Sequence, residues 1–271
     1  MQSEIIAANI AVHNSMIDVY HNEPHFRPEN KAKVRAVLEK LKMQDSERLL
    51  DLGCGTGFII DLAKHLFTEI HGVDVTPAML NKVDVSSGNI ILHNVAAESL
   101  PFPNEYFDVI TAYAFLHHTE NYSAILQEAF RVLKKGGKFY VDLEPNKLFW
   151  QAMKECEQMN KKFSDIVERE IDAVLHIDEK IEKEFSLSKD IFNKAEYTKS
   201  FLGGIDPEEF HAIAKHIGYS SCQEKFEWFL GQGTVMHGQS FRDADIVEQY
   251  LRKLLPLSAK FFKYLQFILV K

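Results

Sequence analysis

"RLLDLGCGTGFIIDLAKHL", Arg48 to Leu66, passes from an apolar run to a helical pattern through three glycines at alternate positions. "RLLDLG" is continuously apolar apart from one acid and ends in glycine, as a buried parallel strand does. "FIIDLAKHL" then places Ile59, Leu62, Ala63 and Leu66 on one helical face. Strand, glycine turn and helix open a crossover unit, and the residues that follow repeat it. "EIHGVDV", "NIILHNV", "FDVITAYA" and "KFYVDLE" read as four further strands. Between them, "TPAMLNKV" reads as a helix capped by Thr76 with Pro77 in its first turn. "YSAILQEAFRVLKKGG" reads as a helix that stops at its glycine pair. Such alternation makes a parallel sheet with helices on both faces.

Outward from this core the texture changes. The first 45 residues read as two helices split by "NEPHFRPEN". After Pro145, "NKLFWQAMKECEQMNKKFSDIVEREIDAVL" is strongly helical, with Met153, Cys156, Met159, Phe163, Ile166, Val167, Ile171 and Val174 as an apolar stripe. A charged helix covers "IDEKIEKEF", and "DPEEFHAIAKHIGY" is a capped amphipathic helix. "SCQEKFEWFL" and "YLQFILVK" read as two more strands, with a helix around "DADIVEQYLRKLL" between them. The sequence therefore predicts one α/β domain with a Rossmann-like, doubly wound, mostly parallel seven-stranded sheet. Its parts are an N-terminal helical cap (1–45), a ligand-binding core (46–145), a helical lid inserted after the fifth strand (146–200) and the C-terminal part of the sheet (201–271).

Composition narrows the partners. The 271 residues are 46% hydrophobic, enough to bury a sizeable core, and no stretch is long and apolar enough to span a membrane. The start lacks the basic and compact apolar regions of a signal peptide. Three cysteines (Cys54, Cys156, Cys222) without a CxxC pair fit a reducing cytoplasm rather than a disulfide framework. The net charge of −8 and short basic stretches argue against a nucleic-acid partner, so a small molecule is expected.

In doubly wound sheets the ligand binds beyond the carboxyl ends of the strands, where the strand order reverses. That places Gly53, Gly55 and Gly57 in the expected site, where glycine lets a ligand approach the backbone. A dinucleotide fingerprint is GxGxxG. Here the spacing is GxGxG, and Phe58 stands where the third dinucleotide glycine belongs. Asp51 precedes the loop, and an acid there repels a pyrophosphate but favours a cation. Asp74 ends the second strand seventeen residues beyond Gly57 and suits the two hydroxyls of a ribose. The pattern fits a nucleoside carrying a positive, non-phosphate group, and S-adenosylmethionine answers that description.

At these residues the chain resembles the class I S-adenosylmethionine-dependent methyltransferases. "LLDLGCGTG" looks like their first motif and "GVDVTPAML" their second. "AAESLPFPNEYFDVITAYAFLHHTEN" is similar to the third and fourth, and "ILQEAFRVLKKGGKFYVDLEP" to the segment that follows. The resemblance implies that Asp51, Gly53 and the backbone of Cys54 and Gly55 hold the methionine portion, and that Asp74 holds the ribose. It places Val75 and Met79 against the adenine. It puts Ala96, Ala97 and Glu98 near the adenine amino group, with Ala96 where the family has an Asp and Asn94 or Ala97 backbone compensating. It puts the carbonyl of Ala112, as the end of the fourth strand, toward the ammonium group, and Tyr20 with Phe26 over the cofactor.

Methyl transfer from a sulfonium is an in-line displacement that demands alignment more than covalent help. The candidates for acid–base work are His117 and His118 after the fourth strand, and Glu144 after the fifth. Each has a plainer reading: packing or capping for the histidines, a solvated strand end for Glu144. Cys54 reads as a small loop residue, not a nucleophile. Phe149 and Trp150 are expected to line an acceptor pocket. The other histidines, His21 and His25 among them, lack metal-ligand spacing, and no metal is expected. Two rival readings are a non-catalytic cofactor-binding protein or partner subunit and a nicotinamide-dependent dehydrogenase.

Overall fold

A computed structural model of the chain describes residues 2–22, 26–43, 47–159 and 163–271. Its centre is a seven-stranded sheet: β1 (Arg48–Leu52), β2 (Glu69–Val73), β3 (Ile90–His93), β4 (Phe107–Tyr113), β5 (Leu133–Pro145), β6 (Ser221–Phe229) and β7 (Phe262–Val270). The order is β3-β2-β1-β4-β5-β7-β6. The first five strands are parallel, and β7 runs antiparallel between β5 and β6. Strand order reverses between β1 and β4, so the crevice beyond their carboxyl ends is where a ligand belongs.

The alternation of a strand explains the two layers. Leu49, Val109 and Tyr140 face one core, packed by α2 (Pro28–Leu41) and α3 (Phe58–Ala63). Leu50, Ile110, Phe139 and Val141 face the other, packed by α5 (Tyr122–Val132) and α11 (Pro207–Ile217). Phe210 of α11 stacks on Phe267 of β7 with centroids 3.8 Å apart, which ties the C-terminal strands to the central sheet.

Three expectations change. The helix of "YSAILQEAFRVLKKGG" ends at Val132, because Leu133 turns extended, is fully buried and pairs with Phe107; β5 thus begins before the glycine pair. The fourth strand, read from "FDVITAYA", ends at Tyr113, paired with Asp142, so Ala112 is not its last residue. The long apolar stripe is broken into α6 (Lys147–Gln158) and α7 (Asp165–Leu175). Met153 and Ile171 meet in a small core with Phe149 and Trp150, while Met159, Phe163 and Ile166 stay 40–62% exposed.

The insertion after β5 continues through α8 (Ile177–Phe185), α9 (Lys189–Ala195) and α10 (Tyr197–Leu202). It meets α1 (Gln2–Met16) over the ligand edge, where Ala8 and Val12 pack with Ile181, Leu187 and Phe192 in a separate small core. His25 of the proline-containing link lies outside the described residues.

Candidate functional site

The turn after β1 is shaped by its glycines. Gly53 has φ +64°, and a Cβ there would sit 2.1 Å from the Phe115 ring, so glycine is required twice over. Gly55 has φ +50° and faces open space beside Tyr20. The Asp74 carboxylate clasps this turn: one oxygen accepts the Gly55 amide at 2.9 Å and the other the Thr76 amide at 2.8 Å. Asn94 donates to the Asp74 carbonyl at 2.9 Å, which ties β3 to the same corner.

These residues wall a cleft of about 740 Å³. Gly53, Gly55, Asp74, Val75, Ala97 and Glu98 line it from the sheet side; Ile5, Asn9, His13 and Tyr20 line it from the N-terminal segment. Its carboxylates are Asp74, Glu98 and Glu120, and no lysine or arginine lies among its described lining residues. Asp51, Cys54 and Tyr20 border a small adjoining recess. Asp51 is buried and accepts the Thr111 hydroxyl at 2.7 Å. Burial pushes its carboxyl up to about 7, against the Thr111 hydrogen bond and with help from the charge on Asp74. The Cys54 side chain turns into the core against Gly72, and burial drives its thiol well above the ordinary range, which disfavours the nucleophilic thiolate.

Several expected contacts fall elsewhere. Met79 and Ala112 are fully buried and line neither cleft, and Gly57 spends its φ of +92° starting α3 beside Val83. Ala96 is more exposed than Ala97 and is not part of the cleft's lining. Because β4 runs through Ala112 to Tyr113, Ala114 and Phe115 line the first cleft where Ala112 was expected.

A second cavity, about 1100 Å³, adjoins the first and shares His13, Tyr20, Ala114 and His118 with it. Most of its wall is apolar or aromatic, including Met16, Trp150, Val174, Ile181, Phe192 and Tyr264. Phe149, expected beside Trp150, is instead buried in the small core beneath. The cavity's polar groups are His117, His118, Glu196 and Lys199, with His13 at the shared wall.

Glu144 is neither a solvated strand end nor a wall of this cavity. A bulge beyond Val141, with Leu143 at φ +59°, resets the strand and turns the Glu144 side chain inward. Fully buried, it accepts the amides of Phe115 (2.9 Å), Leu116 (2.8 Å) and His117 (3.0 Å) and the His117 ring at Nδ1 (2.9 Å). It braces the 3-10 turn Leu116–His118 and fixes the His117 ring. Burial opposes charge on that ring, but the Glu144 and Glu196 carboxylates outweigh it and hold its pKa above the ordinary value. Burial and the neighbouring ring push His118 down to about 3. Glu196 stays ionised despite burial because Lys199, His117 and His118 surround it. Neither Glu196 nor Lys199 stands out in the sequence; the signal is only "EYTK", an acid and a base three residues apart where α10 begins.

Residues 50–141 match the family profile described as a methyltransferase domain. This segment is a methyltransferase domain. Around it, the chain is 29% identical over 209 residues to a demethylmenaquinone methyltransferase from Staphylococcus saprophyticus, covering 75% of this chain and 82% of the relative. It is 33% identical over 137 residues to the biotin biosynthesis bifunctional protein of Teredinibacter turnerae, covering 44% of this chain and 24% of that one. The match spans less than half the length of several curated relatives. The methyltransferase domain and its additions share the fold of a S-adenosylmethionine-dependent methyltransferase from Archaeoglobus fulgidus, with a TM-score of 0.53 and 16% identity over 89% of this chain and 94% of that one.

Proposed function

We propose that the chain transfers the methyl group of S-adenosylmethionine to a small-molecule acceptor. The observation that carries this reading is the pair of joined cavities. The first has glycine backbone and the Asp74 carboxylate side by side in its wall, and it offers acids where a dinucleotide pyrophosphate would need cations. That charge favours a sulfonium nucleoside over a nicotinamide cofactor. The methionine portion belongs beside Gly53 and Asp51, the ribose at Asp74, and the adenine toward Val75, Ala97 and Glu98.

The acceptor belongs in the second cavity, whose apolar wall suits a hydrocarbon or ring body and whose polar end suits one heteroatom. A quinone-like ring, as the name of the Staphylococcus relative suggests, fits that description. Ala114 and His118 stand at the shared wall, where methyl carbon and acceptor must meet in line. The insertion of residues 147–202 closes this space from water as a lid. Three unbridged cysteines support a reducing cytoplasm, and no helix among the described residues is long and apolar enough to cross a membrane.

Calorimetry with S-adenosylmethionine and its demethylated product tests the reading. Both should bind the wild-type chain, and NADH should not. Asp74→Ala should lose roughly 1.5–3 kcal/mol of cofactor affinity, about 10- to 150-fold. Unchanged affinity in a folded variant would remove Asp74 from the site.

A further inference from the structure

We infer that His117, His118 and Glu196 form a binding site for one divalent transition-metal ion, zinc by preference, at the polar end of the second cavity. One donor atom from each residue lies within 4.8 Å of the others, and all three side chains line that cavity. Among the described residues no other trio of histidine, cysteine or carboxylate side chains converges this way.

Each of the three side chains is positioned by a fixed partner. The Glu144 carboxylate already accepts three backbone amides, so His117 must donate to it from Nδ1, which puts the ring's lone pair on Nε2. A carboxylate behind a histidine is the usual outer support of a metal ligand. His118 donates from Nδ1 to the Ala195 carbonyl at 2.8 Å, and the same nitrogen stands 3.5 Å from Glu196 Oε1; its lone pair is on Nε2, so holding an ion there asks for a turn of the ring. Glu196 divides its oxygens: Oε2 takes Lys199 at 2.9 Å, while Oε1 faces the histidines.

The spacing between donors points the same way. Glu196 Oε1 stands 3.9 Å from His117 Nε2, too far for a hydrogen bond. Two donors bound to one zinc at about 2.0–2.1 Å in tetrahedral array stand roughly 3.3 Å apart, so a modest contraction brings them to an ion. The other close histidine pair shows the contrast. His71 meets His93 at 2.8 Å and Glu69 at 2.7 Å, contacts that leave no room for an ion between them.

Two imidazoles and one carboxylate suit zinc, and three protein ligands leave a position open, as catalytic rather than structural sites do. That position faces the cavity and takes water or a Lewis-basic oxygen or sulfur of the acceptor. This last role rests on the cavity being the acceptor's place; the binding of the ion does not. Spacing along the chain hides the site because Glu196 lies 78 residues beyond His118, at the joint between α9 and α10 that only the folded insertion brings over the turn.

Chelator-treated full chain, titrated with zinc against a chromophoric competitor, tests the site, with binding of S-adenosylhomocysteine measured on each sample. One zinc per chain is expected. Glu196→Gln and His117→Ala should weaken it at least 100-fold, and Glu144→Gln by about 10- to 100-fold through His117. Cobalt(II) on the wild-type chain gives a second reading that needs no variant: visible bands of a nitrogen- and oxygen-bound ion, erased by one equivalent of zinc. Wild-type chain that takes up no zinc overturns the site, as does zinc uptake undiminished in both ligand variants. Zinc bound without any binding of S-adenosylhomocysteine would leave the ion site standing and overturn the cofactor reading instead.

Discussion

Asp51 carries a conflict that a ligand can resolve. Its carboxyl is buried beside the glycine turn, with the Asp74 carboxylate nearby and the Thr111 hydroxyl as its donor, and burial holds it up at about 7. The sign follows from linkage: an unfolded carboxyl ionises near 4, so this group's contribution to stability is present at low pH and is lost as pH rises from about 4 to about 7. A cationic ligand beside Asp51 favours the ionised form, and binding then expels the proton. Affinity for S-adenosylmethionine should rise about tenfold between pH 6 and pH 8 in the wild-type chain. Asp51→Asn should flatten that part of the profile, and the difference between the two curves cancels titration of the ligand itself. Calorimetry across this range checks it; parallel curves would mean that Asp51 does not feel the ligand's charge. The acid at this position is plain in the sequence, but its pKa depends on burial that no spacing reveals.

At the scale of elements, joints matter more than helices. Asn146 is fully buried at the point where β5 ends and α6 begins. Its Oδ1 caps α6 through the Leu148 amide at 3.1 Å, and its Nδ2 donates to the carbonyls of Ala259 and Phe262 at 2.9 and 2.8 Å. One side chain thus fixes the insertion to the start of β7, whose Tyr264 lines the second cavity. Asn146→Ala should cost about 2–4 kcal/mol, from one lost cap and two stranded carbonyls. Asn146→Asp should be no better, because it keeps the cap but sets a carboxylate against those carbonyls. Midpoints of chemical denaturation measure both. The capping residue of Asp206 before Pro207 is legible in sequence, and its carboxylate accepts the amides of Glu208 and Glu209. The role of Asn146 is not legible, since its partners lie more than a hundred residues away.

Over the whole molecule, the sheet and the elements above it differ in how they are held. β1, β4 and β5 are buried on both faces, whereas α1 and α9 rest on a small core of their own. Amides of α1 and of residues 189–202 should therefore exchange faster than those of the central strands. Ile5, Asn9 and His13 line the first cleft, and Asn9 donates to the His118 carbonyl at 3.1 Å. Added S-adenosylhomocysteine should slow exchange across α1; protection confined to the glycine turn and Asp74 would show that α1 does not close over the cofactor.

The sequence by itself determined the order of strands and helices, the glycine turn and the acid at the end of β2. Each is written in residues close together in the chain: a period of two or 3.6, glycines forced by positive φ, a carboxylate at a fixed distance. Tertiary structure alone decided which side chains meet beyond the sheet. The bulge at β5 turned Glu144 from an expected strand-end acid into a buried brace. The end of β4 at Tyr113 gave the place expected of Ala112 to Ala114. The folding of the insertion set Glu196 and Lys199 against His117 and His118. Contacts between distant segments depend on packing that sums over the entire core, and local pattern carries no record of it.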